Sequence, residues 1–197
     1  MSNLRERYAC ISLLNKNVSN SISKLQQEIY ELTGSKKFME EWPPHITIGN
    51  GNELNSVDIT EIESEFSNIA KKHSPFEIKF DPVKHKIKDF SKIDQRYSNN
   101  LVVLPTIIND KLSALVNDIE LVLKRYPVFY NVFPYDPHVT IAARDIKDED
   151  VNKILEYLKT QDIPTSAKIE SFSLFLSPVG ISNAHASKEV RTFKLFK

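Results

Sequence analysis

Pro44-His45-Ile46-Thr47-Ile48 and Pro137-His138-Val139-Thr140-Ile141 agree at four of five positions and differ only by Ile for Val. Along a strand, successive side chains point to opposite faces. In each copy the histidine and threonine therefore share one face, and the two apolar residues share the other. The apolar pair can bury in a core and fix the strand, which leaves two imidazoles and two hydroxyls free to meet across a cleft.

Working outward, His138 minus His45 is 93, and the same offset carries Tyr8 to Leu101 and Phe76 to Ile169. Each of these positions opens an apolar stretch, so the repeat extends well beyond the five-residue motif. Period-2 and period-3.6 patterns alternate along the chain, which predicts a mixed α and β fold. Residues 8–14 read as a strand, and Ile22, Leu25, Ile29 and Leu32 as a helix closed at Gly34. A short strand at 45–48 precedes a helix striped by Ile59, Ile62, Phe66 and Ile69, with Asp58 and Glu61 placed as its capping box. Residues 76–80 alternate as a half-buried strand, and 89–100 are polar and unpatterned, placing the connection between halves there.

The elements then start over. Residues 101–104 form an apolar strand, and Leu112, Leu115, Val116, Ile119, Val122 and Leu123 mark a long helix. A short strand at 138–141 precedes a helix on Val151, Ile154, Leu155 and Leu158. Phe172, Leu174 and Leu176 share a strand face, and residues 190–196 close the chain. The expected fold is α+β, bilobal and pseudo-two-fold, with two antiparallel sheets facing a central cleft and helices outside. It reads as a single domain over 1–197, with lobes at about 1–88 and 101–197.

At 197 residues the chain suits one full core or two small lobes sharing an interface. Twenty-six basic and 26 acidic residues give zero formal net charge, which argues against a broad cationic track along a long nucleic acid. One cysteine, Cys10, excludes an internal disulfide framework and reads as a small core residue in a reducing compartment. The N-terminus carries mixed charge before a short apolar run, and no stretch is long enough to span a bilayer, so a cytoplasmic protein is expected.

Two imidazoles and two hydroxyls suit phosphoryl chemistry. With an unperturbed pKa of about 6.5, one ring can act as a neutral base while its partner is a charged acid. Hydroxyls donate to non-bridging phosphate oxygens. One histidine would take the proton of an attacking water and the other would protonate the leaving oxygen, each transfer contributing about 10²–10⁴ in rate. A lone His-x-Thr is more simply a satisfied core histidine beside a good strand former. Packing alone does not demand the same pair again at the same register, and the duplication therefore favours a functional reading.

On these motifs, His45-Ile46-Thr47 and His138-Val139-Thr140, the chain resembles the two-histidine (2H) phosphoesterases, also described as LigT-like or 2′-5′ RNA ligase-like proteins. The resemblance implies a bilobal fold, no metal cofactor, and hydrolysis of 2′,3′-cyclic, 1″,2″-cyclic or 2′-5′-linked phosphodiesters, often at RNA ends. It implies His45 and His138 as acid and base, and Thr47 and Thr140 as phosphate-binding residues.

Among secondary candidates, Trp42 and Tyr135 each lie three residues before a motif histidine, placed either to stack on a nucleobase or to pack where a loop enters a strand. Phe129, Tyr130 and Phe133 make the segment before the second motif aromatic, for which a substrate-facing loop is one explanation and core packing the simpler one. Arg144 is a candidate to reach a phosphate, as are Lys84, Lys86 and Arg96, although solvated surface is the default for such side chains. His73, His85 and His185 lack a surrounding motif and read as structural. His45 and His138 with Asp136 or Asp145 lack the spacing of a familiar metal motif, and four glycines form no phosphate-binding loop.

The expectation is a monomeric, metal-independent, cofactor-free hydrolase acting on a small nucleotide or RNA-end phosphodiester, with no membrane or obligate protein partner. The alternatives are 2′-5′ RNA end joining, degradation of a cyclic oligonucleotide signal, and a module that binds phospho-ligands or RNA without turnover.

Overall fold

The computed structural model describes residues 6–90, 95–131, 134–177 and 186–196. In chain order the first elements are β1 (Glu6–Leu13), α1 (Lys16–Thr33), α2 (Lys37–Glu41), β2 (His45–Leu54) and α3 (Ser56–Lys72). Next come β3 (Phe76–Phe80), β4 (Lys84–Ile87), β5 (Ser98–Ile107), α4 (Asp110–Leu123) and β6 (Val128–Tyr130). The chain continues with β7 (His138–Arg144), α5 (Asp148–Leu158), β8 (Ser166–Ile169), β9 (Ser171–Leu176) and β10 (Lys188–Lys194).

The antiparallel strands run in one hydrogen-bonded order, β10-β9-β1-β2-β7-β5-β3-β8, with β4 beside β5 and β6 beside β2. Four strands lie on each side of a narrow β2–β7 seam where Ile46 stands opposite Val139, and the sheet curls about that seam. The 93-residue offset makes sense of the order. It carries β2 onto β7, β1 onto β5, and residues 76–80 of β3 onto 169–173, which straddle the end of β8 and the start of β9. The path from β9 to β3 then reads alike from either end, and the third strand of each half pairs with the first strand of the other.

The sheet's two faces carry different cores. Ile46, Ile48, Val139 and Ile141 join a large cluster with Ile22 and Ile29 of α1, Ile62 and Phe66 of α3, Leu112 and Ile119 of α4, and Ile154 of α5. Full burial of each such side chain contributes about 1.5–3 kcal/mol. Ala9, Ile11, Leu101, Val103, Ala143 and Phe175 point to the other face and pack with Phe38, Trp42 and Phe90 in a smaller cluster. The apolar half of each motif thus anchors in the helix layer, and His45, Thr47, His138 and Thr140 fall on the side of the smaller cluster.

Local signals explain several boundaries. Gly34 closes α1 at φ 80°, a left-handed conformation that costs glycine little, and its N–H donates to the Tyr30 carbonyl. The capping box of α3 lies three residues earlier than Asp58 and Glu61. The Asn55 side chain accepts from the Val57 and Asp58 amides, and Asp58 accepts in return from the Asn55 amide. Asn55 takes the cap because the helix begins at Ser56, which places its side chain beside the first-turn amides.

β2 is ten residues long rather than four, although Gly49, Asn50, Gly51 and Asn52 are poor strand formers. Tertiary bonds hold that half. The Asn50 amide and side chain donate to the buried Glu120 carboxylate on α4, and the Asn52 side chain donates to the Leu123, Tyr126 and Pro127 carbonyls at the end of α4. Gly51 leaves room for the Tyr130 ring, which a Cβ would meet at 2.0 Å.

The stretch 89–100 is more than a connection. β5 starts inside it at Ser98, Phe90 is 6% exposed in the smaller core, and the Tyr97 hydroxyl donates to Glu41. Its polar composition hid these anchors because each is a single residue without periodic neighbours. Phe133 and His185 lie outside the described residues.

Candidate functional site

His45 opens β2 and His138 opens β7. His45 Nδ1 lies 2.8 Å from the Pro43 carbonyl oxygen, and His138 Nδ1 lies 2.7 Å from that of Asp136. A carbonyl only accepts, so each Nδ1 carries a proton and donates, which leaves Nε2 of each neutral ring with its lone pair. The same two-residue reach backwards occurs in both copies, across the proline that starts each motif.

Carrying the Ile46–Val139 register one residue each way sets His45 across from Thr140 and Thr47 across from His138. All four side chains then share one face, with the histidines on a diagonal, where residues stand about 7–8 Å apart and their Cβ atoms somewhat closer. All four line one cavity of about 340 Å³. Among the described residues, neither threonine hydroxyl has a hydrogen-bond partner, and both are open to a ligand. The backbone beneath is tied down, since the Thr140 carbonyl accepts from the buried Gln26 of α1 and the Thr47 carbonyl from the Tyr135 hydroxyl.

Both rings are held neutral. Burial pushes the His45 pKa down to about 4, against the pull of the Pro43 carbonyl and with a further push from His138. Burial likewise brings His138 down to about 4, opposed by the Asp136 carbonyl and carboxylate and reinforced by Lys88 and Lys86. At neutral pH both rings are therefore bases. A bound phosphate anion would stabilise an added proton on either ring and create the acid the chemistry needs.

α2 has no counterpart in the sequence reading, because five residues carry no periodicity. It is held in place by Asp145, whose carboxylate accepts from the Ser35 hydroxyl and the Lys36 and Lys37 amides. It brings Phe38 and Trp42 against His45, with ring centroids 6.2 and 5.0 Å away. Trp42 is 6% exposed and packs between His45 and Phe175, so it forms cavity wall rather than a projecting platform. Tyr135, its partner by offset, lines a second chamber of about 330 Å³ that adjoins the first.

Arg144 lines the first cavity, but its guanidinium is paired with the Glu41 carboxylate, and both are buried. Its φ of 81° aims it back across the strand end, over the Tyr97 and Phe38 rings. Burial lowers its pKa to about 10. Lys86 lines the second chamber and donates to both Asp136 carboxylate oxygens, while Lys84 stays exposed beside Asp81 and Arg96 is exposed. Lys88, which the sequence did not single out, lines both chambers. Its side chain is largely exposed, yet its ammonium is held below its ordinary range by local desolvation and by Lys86, against Asp136. Only its alternation with Lys84 and Lys86 along one strand direction marked it.

The remaining histidines stand apart: His73 pairs with Asp118, and His85 bonds the Asn100 side chain. Asp136 and Asp145 are engaged as described, and among the described residues no three His, Cys, Asp or Glu side chains gather around one point. Among the described residues, no helix is long and apolar enough to cross a membrane.

A family model described as LigT like phosphoesterase matches residues 11–86, and one described as the 2′-5′ RNA ligase superfamily matches residues 55–177. Escherichia coli LigT in its apo form is similar with a TM-score of 0.61 and 14% identity, covering 98% of this chain and 99% of that one. E. coli LigT complexed with 3′-AMP gives a TM-score of 0.57 at 14% identity over the same shares. TT0787 of Thermus thermophilus gives 0.64 at 13% identity, covering 96% of this chain and 97% of that one. These likenesses show the fold. A search of curated proteins found no match.

Proposed function

The chain belongs to the 2′-5′ RNA ligase superfamily, the two-histidine phosphoesterases, and from that premise we propose that it is a metal-independent phosphodiesterase acting on 2′,3′-cyclic or 2′-5′-linked phosphodiesters of small nucleotides or RNA ends. The observation that carries this reading is the matched pair of Nδ1–carbonyl anchors, which leaves two Nε2 atoms in one cavity with two threonine hydroxyls that have no partner among the described residues. E. coli LigT, which shares the fold, has been solved with phosphate and with 3′-AMP, and a site of this chemistry suits the same ligand class.

In the proposed reaction one neutral imidazole takes a proton from water as the water oxygen bonds to phosphorus. The bond from phosphorus to the leaving oxygen breaks, and the other histidine, protonated in the complex, gives its proton to that oxygen. The products are a phosphomonoester and a free hydroxyl, and water is the only co-reactant. Thr47 and Thr140 donate to the non-bridging oxygens, where charge builds. The polarity of the bound substrate decides which ring is base and which acid.

End joining uses the same groups in reverse, with a hydroxyl in place of water. The test is cleavage of nucleoside 2′,3′-cyclic monophosphates and 2′-5′ oligoadenylate under excess chelator, by wild type, His45→Ala and His138→Ala. Activity that resists chelator and is lost in each variant is the expected result. Activity surviving either substitution removes that ring from the mechanism, and activity lost to chelator overturns the metal-independent reading.

A further inference from the structure

The two chambers meet where phosphorus would sit. They share Thr47, His138, Lys88 and Tyr130 in a common wall. On one side the first chamber is walled by Phe38, Trp42 and Phe90, an apolar surface suited to a base face. On the other side Ile87, Pro134 and Tyr135 line the second chamber together with the Lys86–Asp136 pair. A cyclic mononucleotide carries its bulk on one side of phosphorus and fills one chamber. A second space of nearly equal size, beyond the proposed phosphate position, has no use for such a substrate.

Resting on the function proposed above, we propose that the second chamber is the subsite for the second nucleoside of a linear phosphodiester, and that Lys88 at the junction holds the bridging phosphate. Charge favours this division. Both Asp136 oxygens already neutralise Lys86, so beyond Lys88 at the junction the second chamber's described lining offers no spare cation for another phosphate. It does offer ring surface and a carboxylate that can accept from ribose hydroxyls or a base amino group. Among the described residues Lys88 has no carboxylate partner, and its ammonium lies 5.9 Å from the Phe90 ring, at the boundary between the chambers. Cleavage then divides the substrate between them: water adds to phosphorus, the nucleoside in one chamber leaves as a free hydroxyl compound, and the monoester stays in the other.

The experiment compares kcat/KM for 2′-5′-linked adenylyl-adenosine and adenosine 2′,3′-cyclic phosphate, in wild type, Ile87→Trp, Lys88→Met and Lys88→Arg. Binding energy from the distant nucleoside reaches only the linear substrate, so the linear-to-cyclic ratio should depend on the second chamber. Ile87 is 71% exposed, so a larger ring there narrows the chamber without disturbing the core, and the linear-to-cyclic ratio should fall about tenfold. Lys88→Met should lose about 10–10² in kcat/KM on the linear substrate, a charged hydrogen bond's worth, with Lys88→Arg restoring most of it. A linear-to-cyclic ratio unchanged by Ile87→Trp overturns the subsite while leaving the phosphodiesterase reading intact. Cleavage of neither substrate overturns both.

Discussion

His45 and His138 have the same backbone and different neighbours. Each ring starts a strand, donates from Nδ1 to the carbonyl two residues back, and stands beside a threonine. His45, however, is pressed by Phe38 and Trp42, with the Arg144–Glu41 pair nearby in the same wall. His138 faces Lys86, Lys88 and Asp136. The two motifs share what aims the rings and differ in their surroundings. Aim alone requires the strand and its carbonyl, whereas the neighbours decide what each ring meets on its own side of a substrate.

If the shared part carries the chemistry, both halves should fail alike. His45→Ala and His138→Ala should each lower kcat by about 10²–10⁴ despite their different settings, and the double variant should be little worse than either single one. Steady-state rates on one substrate check this, and a large difference between the two singles would place the chemistry in one half.

The next effect exposes the asymmetry. Glu41→Gln leaves the buried Arg144 guanidinium without its counter-charge and should cost about 3–5 kcal/mol of stability, read from denaturant unfolding. Asp136→Asn, which removes the exposed partner of Lys86, should cost within about 1 kcal/mol. Equal losses would mean that the two sides are not built differently after all.

The motif strands, the helix stripes and the offset were legible because periodicity and repetition are written over many residues. The interleaving of third strands was not, since an offset identifies equivalent elements without saying which half they join. Phe38, Phe90, Tyr97 and Lys88 were missed for a different reason. Phe38 acts alone from a five-residue helix that Asp145 anchors, Phe90 and Tyr97 from the stretch 89–100, and Lys88 from just beyond β4, so none carries a periodic signal. The second half of β2 was hidden by its glycines and asparagines, whose poor local preference is overridden by bonds to α4.

Smaller effects lie in protonation. Both histidines are depressed from an unfolded value of about 6.5 to about 4, so the unfolded chain binds more protons between those values. Stability should therefore be fully present above pH about 6.5 and decline as pH falls toward 4. Lys88→Met removes a like charge from beside His138 and should raise that ring's pKa slightly, leaving His45 in place. Histidine titration by NMR reads both rings, and an equal shift of the two would erase the electrostatic distinction between the halves.

The most direct test of two rings gripping one phosphorus centre is a ¹⁵N–¹H NMR titration of the imidazoles with inorganic phosphate, His45 and His138 being assigned from the single alanine variants. At neutral pH the free protein should show both rings neutral with the proton on Nδ1. Added phosphate should shift both Nε2 signals with one shared dissociation constant and protonate one of the rings. If one ring responds while the other stays still, or if the two follow separate constants, the histidines do not share a phosphate and the account is wrong.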